Sequence, residues 1–479
     1  MTARCVMVLG TTSGAGKSLL AAALCRWYAR RGLKVAPFKA QNMSNNARVV
    51  AGGEIGSAQY FQALAAGAEP DVRMNPLLLK PERDTHSQVV LLGQVHDELT
   101  RTPWRGRSAS VWPVIADSLD QLRAENDVVV IEGAGSPAEI NLADSDIVNM
   151  RVARHAAARC LVVTDIDRGG AFAHLYGTWA LLSEADRKLI DGFVLNKFRG
   201  DASLLAPAPK MLQDITGVPT VAVLPMWWRH GLPEEDGMYD VRAHTSGVVA
   251  RTVAVIAYPR ISNLDEFQPL KNVPGLRLVW ARSPADVAGA DWIVLPGSKH
   301  TSGDLAWLRA QGLDRAVAQH AQRGGMVLGL CGGLQMLGEA LIDTNGIDGN
   351  APGLGLLPLV TVFEPAKTLQ RTQARFLQVQ GAWAALSGLA VRGYEIHHGR
   401  TSQHPAMAAA PPVLPGELGW RNAEGNVLGI YLHGMFEDAG VLRALFGAAA
   451  PTLDSVFDGL ADFIDSHFEP GVLAGLAGG

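Results

Sequence analysis

The 479-residue sequence predicts an α/β protein of two domains in tandem, each built on a parallel sheet. Three observations carry that prediction. Short, near-continuous apolar runs alternate with longer Ala- and Leu-rich stretches. The chain is too long for one ordinary core. The rhythm breaks near residue 245 and then resumes.

The elements follow in order. Val6–Leu9, Val128–Ile131, Leu161–Val163, Phe193–Leu195 and Val221–Leu224 read as strands buried on both faces, because no polar residue interrupts them. Ser18–Arg31 and Ile55–Ala66 read as helices between strands. Met226–Val249 holds Pro233, the acidic run Glu234-Glu235-Asp236, Gly237 and Gly247, a composition that suits a linker. A second series of strands starts at Val253–Ala257 and continues with Trp292–Leu295 and Met326–Leu330. The expected domains are residues 1–240 and 250–445, with a helical tail over 446–479. His404–Pro415 is an Ala/Pro-rich loop, and no internal repeat is present.

Composition narrows the function. Hydrophobic residues make up 48% and charged residues 18%, which suits a packed globular chain. A net charge of −4 gives no broad electrostatic grip, so neither a nucleic-acid nor a membrane partner is expected. No apolar stretch reaches the roughly 18 residues of a membrane span. Gly10-Thr11-Thr12-Ser13 ends the first apolar run too early for a signal peptide. Cys5, Cys25, Cys160 and Cys331 show no pairing or metal spacing, so reduced thiols and a cytoplasmic location are expected.

The first motif is Gly10-Thr11-Thr12-Ser13-Gly14-Ala15-Gly16-Lys17-Ser18, between a strand and a helix. Such a turn aims backbone N–H groups at phosphate oxygens, Lys17 can reach the terminal phosphates, and the Ser18 hydroxyl can ligate Mg²⁺. The first Gly lies one residue further out than the usual spacing, so Thr11 stands in the usual Gly place. The nucleotide-binding candidates are Thr11, Gly14, Gly16, Lys17 and Ser18, against a Gly-rich turn that binds nothing. Glu132 ends a strand in Ile131-Glu132-Gly133-Ala134-Gly135, where α/β sheets bind ligands; it could hold Mg²⁺ with Ser18 or merely cap the strand. Asp165 and Asp167 could orient metal or substrate, or Arg168 could neutralise one of them. Asn196 ends another strand and could read an adenine edge; Lys39 could add charge at the phosphates.

The second motif is Gly329-Leu330-Cys331-Gly332-Gly333, after an apolar strand. Small residues two positions either side of a thiol permit a tight strand-to-helix elbow, the thiol counterpart of a serine nucleophile elbow. A helix N-terminus favours the thiolate. The Gly332 and Gly297 N–H groups could form an oxyanion hole, and His433, after the strand-like Val427–Tyr431, could be the base. The competing reading is a buried structural cysteine.

The elbow resembles that of the class I (triad) glutamine amidotransferases, Gly-x-Cys-x-Gly. Further blocks resemble the corrin-amidating branch of that family over nearly the whole chain. They are Phe38-Lys39-Ala40-Gln41-Asn42-Met43-Ser44-Asn45-Asn46, Gly133 to Leu142, Asp165 to Gly170, Asn196 to Asp201, Pro296-Gly297-Ser298-Lys299 and Tyr394-Glu395-Ile396-His397. The resemblance implies an N-terminal P-loop NTPase-like parallel sheet of the dethiobiotin-synthetase kind, which shares the extra residue in the phosphate loop. It implies a C-terminal flavodoxin-like class I glutamine amidotransferase domain. It further implies ATP, Mg²⁺ and glutamine as ammonia donor, and amidation of the b, d, e and g carboxylates of the corrinoid adenosylcobyrinic acid a,c-diamide. Asn42, Ser44 and Asn45 would then suit polar corrin side chains, although such a segment is also ordinary loop chemistry. Many class I members carry Glu two residues after the catalytic His. Met435 stands there, which leaves Cys331 and His433 as the identifiable pair, with Glu437 nearby in sequence.

Three other readings compete. An enzyme that forms the a,c-diamide shares the plan, but the Asn42-to-Asn46 block argues against it. A P-loop partitioning-type ATPase leaves Cys331 and His433 unexplained, and a glutaminase-only subunit leaves Gly10–Ser18 unexplained. The oligomeric state is not set by these residues.

Overall fold

In a computed structural model the described residues are 2–83, 85–228, 230–233, 249–403, 406–447 and 451–478. The first sheet has six strands, all parallel, in the order Thr220–Pro225, Ile190–Phe198, Arg159–Asp165, Arg4–Gly10, Val128–Glu132, Val35–Phe38. The five expected strands of this series are all present. Arg4–Gly10 lies centrally, and six of its seven residues are buried, as an apolar run covered on both faces requires. The phosphate loop leaves its C-terminal end, where the strand order reverses and open α/β sheets take ligands.

The second sheet has seven strands. Leu276–Ala281, Arg251–Ile256, Trp292–Leu295, Met326–Leu330 and Val427–Ile430 run parallel, and Gly419–Arg421 and Pro412–Leu414 close one side antiparallel. A long hairpin, Val360–Arg375 against Ala390–Ser402, stands beside it. Its half-exposed alternation gives no continuous apolar run, so the hairpin leaves no strand signal of the kind that marks the two parallel sheets.

Two details differ from expectation. Ile55 belongs to a short strand, Gly53–Gly56, and the helix starts only at Ser57. The tail is helical but is no appendage: Leu453–His467 lies along Lys17–Ala29 of the first domain. Val456, Phe457, Leu460, Ala461 and Ile464 join the core formed by that helix and its sheet. Arg26, Arg30 and Arg31 pair with Asp458, Asp462 and Asp465 along the seam. Beyond the helix, Glu469 N donates to Val221 O at 2.9 Å, so the tail also covers the sheet's edge strand. The centre of the expected linker, 234–248, and positions 404–405 of the Ala/Pro-rich loop lie outside the described residues, and so does the expected boundary at 245. Among the described residues no helix is long and apolar enough to cross a membrane.

Candidate active sites

The elbow forms as its glycines require. Cys331 takes φ +50°, ψ −106°, a conformation that costs energy in a non-glycine residue and concentrates at functional sites. A Cβ on Gly333 would lie 1.8 Å from Leu295 O, and one on Gly329 would lie 2.7 Å from the Gly333 backbone. Only hydrogen fits at either position, so the strand Met326–Leu330 can turn into the helix Gly332–Leu337 with the thiol at the bend.

His433 follows the neighbouring strand Val427–Ile430 and is fully buried. That strand pairs in parallel with Met326–Leu330, which ends at Cys331, so both residues leave the same end of neighbouring strands, and the Cys331 sulfur acts electrostatically on the ring. Its ring stacks on Tyr394 with centroids 5.3 Å apart. Its Nδ1 lies 3.1 Å from Glu266 Oε1, and Glu266 Oε2 accepts from Gly434 N at 3.3 Å. Burial alone would lower the His433 pKa, but the Glu266 carboxylate and the Cys331 sulfur push it up to about 10. Cysteine, histidine and carboxylate thus form a triad. Sequence reasoning missed Glu266. The available signal was position: Asn263-Leu264-Asp265-Glu266 follows strand Arg251–Ile256, at the sheet end where ligands bind. Glu437, the sequence neighbour, pairs with Arg48 instead, at 2.5 Å.

Asn263 touches the other imidazole nitrogen, with Nδ2 3.2 Å from His433 Nε2. The Ala47 N–H donates to Asn263 Oδ1 at 3.1 Å, which turns the amide nitrogen toward the ring. In the neutral ring this contact leaves the lone pair on Nε2 and the proton on Nδ1 facing Glu266, whereas the imidazolium carries a proton on both. The thiol meanwhile lies 3.5 Å from Ile396 O.

The candidate oxyanion donor Gly297 lies on a short antiparallel ladder. Gly297 pairs with Ser262, and Lys299 N donates to Arg260 O at 2.8 Å. Bonded and unbonded pairs alternate along an antiparallel ladder, which favours a ladder bond for the Gly297 N–H and the open position for Ser298. A Cβ on Gly332 would lie 2.8 Å from Ser298 N, which places the Ser298 N–H beside the elbow. Gly297 matters for another reason: a Cβ there would lie 3.0 Å from His433 Cε1.

The second centre opens at the phosphate loop. Lys17 Nζ donates to Thr12 O and Gly135 O at 3.0 and 3.2 Å. Ser18 Oγ donates to Glu132 Oε1 at 2.8 Å, Lys39 Nζ reaches the same oxygen at 2.9 Å, and Gln62 Nε2 reaches Oε2 at 2.6 Å. Burial would raise the Glu132 carboxyl, but Lys39, Gln62 and Ser18 hold it below the ordinary range. Asn196 Nδ2 donates to Ala15 O at 2.9 Å while its Oδ1 accepts from Lys197 N, so this amide braces the loop. Lys197 and Arg168 pair with Asp165, and Arg199 pairs with Asp167, which supports neutralised carboxylates over metal ligands there.

Gly14, Gly16, Lys17, Ser18, Lys39, Asn42, Glu132 and Asn196 all line one cavity of about 1160 Å³. It is larger than the roughly 300–1,000 Å³ of an ordinary small-molecule site, and Gln268, Lys271 and Trp280 of the second domain form its far wall. Three expected residues are not brought to it. Thr11 donates its N–H to Val163 O and shares a hydrogen bond with the Thr164 hydroxyl, so both groups are engaged at the sheet end. Ser44 Oγ accepts from Asn46 N, and Asn45 Nδ2 donates to Pro81 O.

Comparison with known proteins agrees with both centres. Residues 6–235 match the family described as the CobQ/CobB/MinD/ParA nucleotide binding domain. Residues 252–441 match the CobB/CobQ-like glutamine amidotransferase domain. Over 477 residues the chain is 79% identical to the cobyric acid synthase of Variovorax paradoxus (strain S110), covering 99% of this chain and 100% of that protein. It is 75% identical over 483 residues to the cobyric acid synthase of Polaromonas naphthalenivorans (strain CJ2), with 99% and 100% covered. For that of Polaromonas sp. (strain JS666) identity is 74% over 499 residues, with 99% and 98% covered.

Proposed function

The chain belongs to the cobyric acid synthase family, and from that premise we propose which of its residues perform the two halves of the reaction. The reaction is ATP- and glutamine-dependent amidation of a corrinoid. In its finer form the b, d, e and g carboxylates of adenosylcobyrinic acid a,c-diamide become amides, giving adenosylcobyric acid.

The observation that carries the assignment is the buried Cys331–His433–Glu266 arrangement in a chain that also holds a phosphate loop. His433 takes the Cys331 proton, and the thiolate attacks the glutamine carboxamide carbon. The Gly332 and Ser298 N–H groups receive the oxyanion. The carbon–nitrogen bond breaks, His433 returns the proton to the leaving nitrogen, and ammonia departs. Water then hydrolyses the glutamyl thioester to glutamate, freeing the thiol. Glu266 fixes the imidazole tautomer and stabilises the imidazolium.

In the first domain a corrin carboxylate attacks the γ-phosphorus of ATP, giving an acyl phosphate and ADP. Ammonia attacks the acyl carbon and phosphate leaves, so each amide consumes one ATP and one glutamine. Gly14 and Gly16 shape the loop, and Lys17 faces the transferring phosphoryl group with Lys39 behind it. The Ser18 hydroxyl and Glu132 carboxylate are hard oxygen donors side by side, a set that fits Mg²⁺ and would hold it. When bound, the ion offsets charge on the phosphates. Asn42, which lines the cavity, remains our candidate for corrin contact. A cytoplasmic location fits four cysteines that are all free.

Mass spectrometry tests the assignment. The a,c-diamide incubated with ATP, Mg²⁺ and glutamine should lose one mass unit per step, four times, as hydroxyl is exchanged for amine. An unchanged mass would defeat it.

A further inference from the structure

We propose that Arg48, a residue of the ATP-binding domain, is a positioning residue of the glutamine-hydrolysing centre in the other domain. The inference rests on the Cys331–His433 assignment above and adds to it a dependence on the first domain.

Arg48 lies on the short strand Ala47–Val50 and is only 2% exposed. Its guanidinium packs over Phe61 and Tyr60 of its own domain, and its hydrogen bonds and ion pairs go to the second. Nε donates to Asp265 Oδ2 at 3.0 Å, Nη2 donates to the same oxygen, and Nη2 lies 2.5 Å from Glu437 Oε1. The guanidinium carbon also stands 5.0 Å from the centre of the Tyr394 ring.

Each contact with the second domain leads to the triad in one step. Asp265 is the residue before Glu266, and its Oδ1 has no hydrogen-bond partner, so Arg48 supplies all its side-chain hydrogen bonds among the described residues. Glu437 ends the turn Met435–Glu437 that directly follows His433 and Gly434. Tyr394 carries the ring on which His433 stacks. One cation therefore holds the segment bearing the acid, the segment bearing the base and the ring beneath the base. Its neighbours act on the same segment: Asn46 Oδ1 accepts from Leu264 N at 2.8 Å, and the Ala47 N–H orients Asn263.

A stability role alone would not require this convergence. Buried ion pairs are weak contributors to net stability and are best explained by what they hold in register. A planar two-pronged donor suits that task, and lysine cannot reproduce it.

The test uses the full chain and two readouts, glutamine-driven and ammonium-driven amidation. Arg48→Ala should lower the glutaminase kcat at least about tenfold, toward the roughly 100-fold that a misplacement of about 1 Å costs. Glutamine KM should stay within about twofold, because no Arg48 atom is assigned to glutamine binding. Ammonium-driven synthesis should persist. Arg48→Lys keeps the buried charge, and with it the fold, and should show a smaller loss confined to the glutamine-driven reaction. Equal loss of both reactions, or unchanged glutaminase in both variants, would overturn the inference. Cys331→Ala separates this from the premise: if that variant still hydrolyses glutamine, the centre itself is misassigned. If it is inert while Arg48 variants are normal, only the role of Arg48 falls.

Discussion

His433 is held from four sides, and each neighbour sets a different property. Glu266 fixes the proton on Nδ1, Asn263 meets Nε2, Tyr394 stacks on the face, and Gly297 leaves room at Cε1. Of these the carboxylate raises the pKa, and together with the Cys331 sulfur it pushes it against burial up to about 10. Removing it weakens the imidazolium, so the ring loses its proton at lower pH. In Glu266→Gln the alkaline limb of the glutaminase kcat/KM profile should move to lower pH, with kcat reduced about 10²-fold or more, as expected when a histidine loses its orienting acid. A profile recorded from pH 6 to pH 10.5 that keeps its alkaline limb in place would show that Glu266 does not govern the base. Cys331 and His433 were legible in the sequence because their chemistry comes with local spacing: glycines about a thiol, and a strand before an imidazole. Glu266 was not, because its partnership with His433 spans 167 residues of chain and Met435 fills the place where local spacing would look. Thr11 shows the converse, a motif position whose bonds local spacing does not reveal. It has the right place in the motif, but its bonds to Val163 and Thr164 are set by the sheet.

At the scale of elements, the parallel strands were readable because burial on both faces writes a continuous apolar run. The hairpin Val360–Ser402 was not, since its exposed positions dilute the pattern. The tail was legible as helix but not in its attachment, which depends on complementarity between distant segments: Arg26 on Lys17–Ala29 with Arg30 and Arg31 just beyond it, and aspartates on Leu453–His467. The apolar face of the tail should dominate that attachment. Leu460 is fully buried in the shared core, so Leu460→Ala should cost about 2–5 kcal/mol. Asp458→Asn removes a half-exposed partner of Arg26 and should cost no more than about 1 kcal/mol. Urea unfolding that ranks the two substitutions the other way would mean the charged seam, and not the core, holds the tail. Because Lys17 and Ser18 open the helix on which the tail lies, loosening the tail should also weaken ATP use before it affects glutamine hydrolysis.

At the scale of the molecule, two stretches of chain join the centres. One runs from Asn42, on the wall of the nucleotide cavity, to Arg48 at Asp265. The other runs from Asn263, against His433, through Glu266 to Gln268 and Lys271 on the far wall of the same cavity. A ligand that presses on the cavity therefore touches both stretches that set the triad. The chemistry demands such proximity, since ammonia is a nucleophile only while unprotonated and bulk water would protonate it. Lys17→Ala should abolish synthesis with either nitrogen source yet leave glutamine hydrolysis, whereas Cys331→Ala should abolish only glutamine-driven synthesis. Isotopes then report the route between the centres. With glutamine labelled at the amide nitrogen and unlabelled ammonium added to the medium, a protected transfer puts label into nearly every new amide. If the nitrogen instead escapes and mixes, the label in the product falls to its share of the total ammonia, and the two domains would be sharing a polypeptide without sharing an intermediate.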